Sequence, residues 1–427
     1  MTPVPGRPAV RRPTPPTALR TSRTSRTLTA LAALAALLLV AGCGAGGSPD
    51  SARQQAGPTG SPTRATAPAA PSSPGAHAAA PVAKVPPRPL KAGEHRVTMR
   101  MPQAYTPSAP NGVGTDDYRC FLLDPHLARD SFLTGTNVLP GSPDVVHHVI
   151  LFRVDPDQVA EAETKDAAES GEGWTCFGGT GLEGDFANVD DANWLGAWAP
   201  GTRESLAPPG YGVPLERGSR IVMQVHYNLL VADDPDTSAA QLRLAPRGAT
   251  PTPLHTYLMP APVELPCRPG HDASPLCDRD AAVADVKQRF GDGPGSTGDL
   301  LHLLCGDRPV ASQVTSCTRH VSRPMTVLGV AGHMHLLGRS IRIVTNPGTP
   351  RARTVLDIPV WDFDNQGARP VRPVHLEPFD TIRVTCRHVQ WLRDRLPAFA
   401  GQPERYVVWG EGTTDEMCLG MLQVTRP

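Results

Sequence analysis

From residue 93 to the C-terminus, short runs of alternating apolar and polar residues recur between clusters of Gly, Pro, Asn and Asp. They lie at 145–154, 220–230, 241–244, 325–337, 340–344, 381–386, 406–409 and 418–424. Alternation with period two places one face of each run in a core and the other outside it. Repeated at this spacing, it predicts an all-β chain built of antiparallel β-sandwiches. Helical periodicity is confined to short pieces such as 155–170 and 280–290, where Ala and charged residues dominate, and these are expected as surface excursions. The 427 − 92 = 335 residues beyond position 92 are many for one β-rich core and comfortable for two domains. The boundary is placed near residue 250, giving domains at 93–250 and 251–427. The Pro-, Gly- and Cys-rich stretch at about 263–320 lacks a strong strand pattern and reads as a disulfide-stapled loop inserted in the second domain.

The N-terminal end follows another logic. Residues 1–27 carry six arginines and no acid, and 28–40 form an apolar stretch too short for an ordinary membrane span. This reads as a signal peptide over residues 1–43. It ends in Val40-Ala41-Gly42-Cys43, which resembles the bacterial lipobox, with Cys43 as the lipidated N-terminus. Residues 44–92 are dominated by Ala, Pro, Gly, Ser and Thr and lack the apolar side chains that would offset the entropy of ordering, so they are expected to form a disordered tether. The expected location is extracytoplasmic, lipid-anchored to a bacterial cell membrane. Lys+Arg and Asp+Glu each number 41, so nucleic-acid binding has no electrostatic support, and no obligate protein partner is implied.

Export also frames the cysteines. Eight remain after Cys43, an even number that favours four disulfides in an oxidising compartment. The pairing expected is Cys120–Cys176, Cys267–Cys277, Cys305–Cys317 and Cys386–Cys418. Cysteine ligation of a metal is disfavoured because no Cys-x-x-Cys pair occurs.

Four fragments carry metal-ligand chemistry: His147-His148, Gln224-Val225-His226-Tyr227, His333-Met334-His335, and Met417 within Asp415-Glu416-Met417-Cys418. On a strand, residues two apart share a face, so His333 and His335 can converge on one ion. Around His226, the residues Ile221, Met223, Val225 and Tyr227 take the apolar face, and Gln224 and His226 take the other, so His226 is expected to look outward from the core. Adjacent His147 and His148 can share a metal only where the backbone bends or bulges. A thioether added to a histidine pair is a soft ligand that favours Cu(I), so Met417 narrows the choice to copper where the imidazoles alone do not.

These four fragments, with the run Gly410-Glu411-Gly412-Thr413-Thr414-Asp415-Glu416-Met417-Cys418, resemble the copper type II, ascorbate-dependent monooxygenases, the family of dopamine beta-monooxygenase and peptidylglycine alpha-hydroxylating monooxygenase. The resemblance spans roughly residues 116–424. It implies two tandem antiparallel jelly-roll β-sandwich domains facing each other across a solvent-filled cleft, with two coppers per chain. His147, His148 and His226 would hold an electron-storing copper, and His333, His335 and Met417 the copper at which oxygen and substrate meet. Gln224, on the strand face of His226, is a further site residue that could organise water or substrate. The implied reaction hydroxylates a C–H bond of a small organic substrate with oxygen and ascorbate or another one-electron donor. Where the peptide-amidating branch carries an arginine two residues before the His-x-His pair, this chain has Ala331, which disfavours a peptide C-terminus as substrate.

A non-catalytic copper-binding or copper-delivery lipoprotein is the alternative, since exported Met and His sites also serve metal handling. A cupredoxin-type site needs a free thiolate, which Cys418 is not expected to supply, and a zinc hydrolase would not choose a methionine ligand. The anchoring expectation is open to a direct test. Cys43→Ala should block processing or release the protein from the membrane fraction, and a variant that is processed and still pellets like wild type removes the lipoprotein reading.

Overall fold

A computed structural model of the chain describes residues 86–110, 114–183, 189–230, 234–363 and 365–427. The signal peptide, Cys43 and nearly all of the expected tether lie outside them. Strands dominate, and they gather in small sheets that divide by position in the chain. The first half makes two. One runs His95–Arg100, Ala239–Leu244, Ser131–Leu139, Tyr211–Leu215 and Thr252–Pro253, with Ser205–Leu206 beside Ser131–Leu139. The other runs Trp174–Thr175, Asp116–Leu123, Arg220–Asn228, Val146–Val154 and Trp194–Trp198. Apart from the short parallel contact of Thr252–Pro253, all their pairings are antiparallel. Inward residues of both, among them Leu133, Ala240 and Leu242 from one and Phe121, Leu151, Met223 and Tyr227 from the other, form one buried core.

The second half repeats the plan. His255–Pro260, Leu419–Thr425, Met325–His333 and Arg369–Leu376 make one antiparallel sheet, and Val314–His320, Thr381–His388, Gly338–Thr345 and Arg353–Ile358 make another. Met259, Val327, Leu422 and Val424 pack against Ile341, Ile343, Ile382 and Val384 between them. Sheet membership changes between Pro253 and His255, close to the boundary read at residue 250. Strands such as Thr381–His388 bury alternate residues, the pattern the sequence carries, whereas Asp116–Leu123, Arg220–Asn228 and Met325–His333 are buried on both faces. Among the described residues no helix is long and apolar enough to cross a membrane.

The stretch 263–320 corrects one expectation, because most of it is ordered secondary structure rather than loop. Glu264–Leu265 and Val314–His320 are strands, and Arg279–Phe290 and Thr297–Cys305 are helices. Asp278 caps the first helix by accepting from the amide of Ala281, and the helix stops at Gly291, whose φ of 86° a side chain would resist. Ala282, Val286 and Phe290, spaced four apart, form a stripe that packs on Tyr406 and Val408. The buried carboxylate of Glu264 then ties the segment down by accepting from Arg279, His302 and Tyr406. Alternation cannot register such a stripe, and the Pro and Gly residues between the helices mask it. The helix Val159–Ala168 is closer to the surface excursion expected.

All four disulfides form in the expected pairing, Cys120–Cys176, Cys267–Cys277, Cys305–Cys317 and Cys386–Cys418. Their number agrees with an oxidising, extracytoplasmic setting. Cys386–Cys418 joins Thr381–His388 to the segment carrying Met417, and closes a loop of 32 residues. Replacing both by Ala should lower unfolding free energy by about 3–4 kcal/mol on the loop-entropy scale, read from urea denaturation of metal-free protein. An unchanged midpoint would mean that the cross-link adds nothing to stability.

Candidate metal centre

The site grows from two local irregularities. On Val146–Val154 the register against Arg220–Asn228 slips between Val146 and His148, so that one extra residue is accommodated. This is the bulge that adjacent histidines require, and it turns both His147 and His148 toward His226. Their Nδ1 atoms form a nearly equilateral triangle with sides of 3.2, 3.3 and 3.1 Å. The centre of such a triangle lies about 1.8 Å from each corner, close to the usual metal–imidazole distance of about 2.0–2.1 Å, so these three residues could hold one ion. Three imidazole nitrogens pointed at one another leave lone pairs that protons alone satisfy poorly, and a shared cation satisfies them all.

His226 does not look outward as the alternation suggested. It is buried, with Nε2–H donating to Asp116 Oδ1 at 2.8 Å and its ring lying flat on Tyr118, centroids 4.1 Å apart and planes 9° apart. The polar face of its strand is covered at His226 by Tyr118 and Asp116 of the neighbouring strand, with Thr413 bonded to Asp116, and at Gln224 by the loop carrying Cys176 and Gly179, which periodicity within one strand cannot reveal. Gln224 is equally buried, donating to the Gly179 carbonyl at 2.8 Å.

The second set is built at a strand end. Met325–His333 terminates at His333, and the chain turns through Met334–Leu337 to Gly338, whose amide donates to the His335 carbonyl. A Cβ at Gly338 would lie 2.9 Å from both Met334 Cβ and Trp361 Cδ1, so the turn requires glycine. His333 Nδ1–H donates to Gln366 Oε1 at 2.6 Å, which leaves Nε2 as its free ligand atom. His335 Nδ1 is buried and has no hydrogen-bond partner among the described residues. Met417, buried, lines a common cavity with His333 and His335.

The clamp at this end is Glu416, which the sequence reading passed over. Fully buried, its carboxylate accepts from the amides of His335 at 3.0 Å, of Met417 at 3.2 Å and of Leu337, and lies 3.2 Å from His388 Nε2. One side chain thus sets the backbone that carries His335 and Met417. Asp415 beside it is held by Arg289 of the helix Arg279–Phe290 and by Arg405. A carboxylate run before a buried methionine is the one signal that could have pointed to this clamp.

The two sets do not face each other across an open, solvent-filled cleft. The His148 and His333 rings stand 6.0 Å apart, and Phe363 stacks on His147 at 4.7 Å and lies 6.4 Å from His335. Between them is a cavity of about 100 Å³, walled by Tyr118, Trp194, Trp198, Trp409, Ile150 and Met421. His148, His333, His335, Gln224, Gln366 and Glu411 make up most of its polar lining, and among the described residues no Lys or Arg lines it. Burial lifts the Glu411 carboxyl to about 7, with the nearby Asp415 charge adding to the effect.

Burial first, then the neighbouring imidazoles, hold His147 and His148 well below the ordinary histidine range, and bring His333 down to about 3. Burial also lowers His335, with the Glu416 charge opposing it. All four are therefore neutral at pH 7, the form that ligates metal.

No family model matches the chain, and no curated protein matches it. Among solved structures it is similar to PNGase F, a glycosylasparaginase from Flavobacterium meningosepticum, at 7% identity and TM-score 0.29 over 78% of this chain and 96% of that one. It is also similar to a fucolectin from Morone saxatilis, at 7% identity and TM-score 0.18 over 78% and 97%. Likenesses this weak carry no argument about function.

The buried neutral histidines make a pH prediction. Unfolded, they protonate near ~6.5, whereas in the fold they resist protonation until much lower pH. Below that value the unfolded state binds more protons, so metal-free protein should lose stability steadily as pH falls from about 6.5 toward 3. Urea midpoints at pH 7.5 and 4.5 measure this, and His333→Gln should flatten the difference. Equal midpoints for wild type at the two values contradict the buried-neutral assignment.

Proposed function

We propose that this protein is an extracytoplasmic copper-dependent monooxygenase that hydroxylates a C–H bond of a small organic substrate. The observation that carries the reading is that a triangular three-imidazole set, through His148, and a separate His–His–Met set border one cavity, with the His148 and His333 rings 6.0 Å apart. The donor chemistry of the two sets differs. Three imidazoles accommodate either oxidation state of copper, and the thioether of Met417 favours the reduced one. When bound, copper would supply one-electron chemistry with oxygen. Per turnover the balanced reaction takes up oxygen, two electrons from ascorbate or another one-electron donor, and two protons, and yields the alcohol and water.

The chain's own groups have definable parts in this scheme. His147, His148 and His226 would hold the electron-storing ion, and His333, His335 and Met417 the ion beside the substrate. Glu416 fixes the spacing between His335 and Met417, and Gln366 fixes the His333 tautomer. The aromatic wall and Ile150 exclude water and suit an apolar body, with Gln224 and Glu411 offering hydrogen-bond partners at its polar end. With no Lys or Arg among the described residues of that wall, a carboxylate substrate finds no fixed counter-charge, in accord with Ala331 standing where the amidating branch has arginine. The reading carries with it the tandem jelly-roll architecture and a lipid anchor at Cys43.

The test is metal content with oxygen uptake. Wild type should bind two coppers, and His147→Ala and His333→Ala should each lose one and keep the other. Met417→His should keep copper but lose most oxygen consumption coupled to substrate, because the site no longer favours the reduced ion. Copper binding without reductant-dependent oxygen uptake across a panel of apolar substrates would favour the copper-handling alternative.

A further inference from the structure

Asp116 stands at the join between the two halves. Its Oδ1 accepts from three donors: His226 Nε2 at 2.8 Å, the Thr413 hydroxyl at 2.6 Å and the Thr413 amide at 3.1 Å. Its other oxygen takes the Thr115 hydroxyl at 3.0 Å. The residue is buried, as is Thr413. One residue pair along the same strand, the Tyr118 ring covers the His226 face, and its hydroxyl donates to the Glu411 carbonyl. The loop 411–413 therefore controls both the edge and the face of the His226 ring, and four residues later the same loop carries Met417.

The chemistry of that contact is specific. By accepting from Nε2–H, Asp116 keeps the proton on Nε2 and leaves the Nδ1 lone pair free to complete the triangle with His147 and His148. Thr413 in turn holds Asp116 in place, since a carboxylate rotated away would release the His226 tautomer and ring angle together. Thr413 touches none of the proposed ligands, yet it reaches one of them through a single side chain.

We propose that Asp116 and Thr413 are positioning residues that couple the three-histidine set to the Met417 loop, so that this set reaches full affinity only when the loop is seated against it. The proposal rests on the copper reading above.

The test uses the full chain with His333→Ala in every sample, so that one ion is counted, and Cu(I) alone as probe in competition with a chromophoric chelator. Adding Thr413→Val, which removes the hydroxyl and keeps the shape, should weaken Cu(I) binding about tenfold, the usual effect of losing an outer-shell partner. Thr413→Ser, which restores the hydroxyl, should bind within about twofold of the parent, a rescue that a purely structural role of the side chain would not give. Parent-like affinity in Thr413→Val overturns the coupling and leaves the copper reading intact. Failure of the His333→Ala parent to bind copper removes both. Should Thr413→Val lose its folded near-ultraviolet spectrum, Asp116→Asn decides: about tenfold weakening supports the proposal and parent-like affinity overturns it.

Discussion

A carboxylate buried beyond the reach of water must find its donors within the protein, and Glu416 finds them in the backbone of the two segments that carry the His–His–Met set. Breaking one such charged hydrogen bond in an interior costs about 1.5–3 kcal/mol, so the arrangement holds the amides of His335, Leu337 and Met417 to one geometry. Everything else near the cavity is organised around that point. The turn to Gly338, the disulfide at Cys418 and the ion pairs of Asp415 all restrain the same few residues from different directions.

The inserted segment acquires a purpose in this light. Arg289 projects from a helix whose own anchorage is the Ala282, Val286 and Phe290 stripe, and it meets Asp415 with both terminal nitrogens. An ion pair of this kind contributes little net stability once desolvation is counted. Its effect is on geometry, since the bidentate contact fixes Asp415, next to Glu416 and two residues before Met417, and Arg405 donates to the same carboxylate.

The two halves meet through polar contacts in two places, one where residues 189–194 meet Thr256, Leu258, Arg319 and Arg426, and one beside the histidine and methionine sets. Asp116 and Tyr118 belong to the strand beside His226, and their partners Thr413 and Glu411 belong to the loop before Met417. Burial pushes the Asp116 carboxyl up, but the His226 contact and the two donations from Thr413 overcome this and hold it well below the usual carboxylate range. A charge kept in such a place is stable only while both halves stay together, which makes the join and the site a single structural unit.

Much of this was legible in the chain itself. Alternating runs determine which residues of each strand go inward, and the eight cysteines of an exported chain determine four cross-links whose partners are near in sequence. The ligand fragments are visible because a paired histidine, a His-x-His and a carboxylate-flanked methionine are unusual side-chain combinations, and the bulge at His147 follows from strand geometry alone. What only the tertiary structure decided is which polar faces become buried. His226 and Gln224 alternate as exposed residues should, and Glu416, Asp116 and Thr413 read as ordinary surface groups, until other segments of the chain pack over them. Periodicity reports the environment of a residue within its own sheet. The closeness of His148 to His333, the aromatic wall of the cavity and most of the donors that satisfy the buried carboxylates depend on contacts between segments well separated along the chain, and no local pattern encodes those.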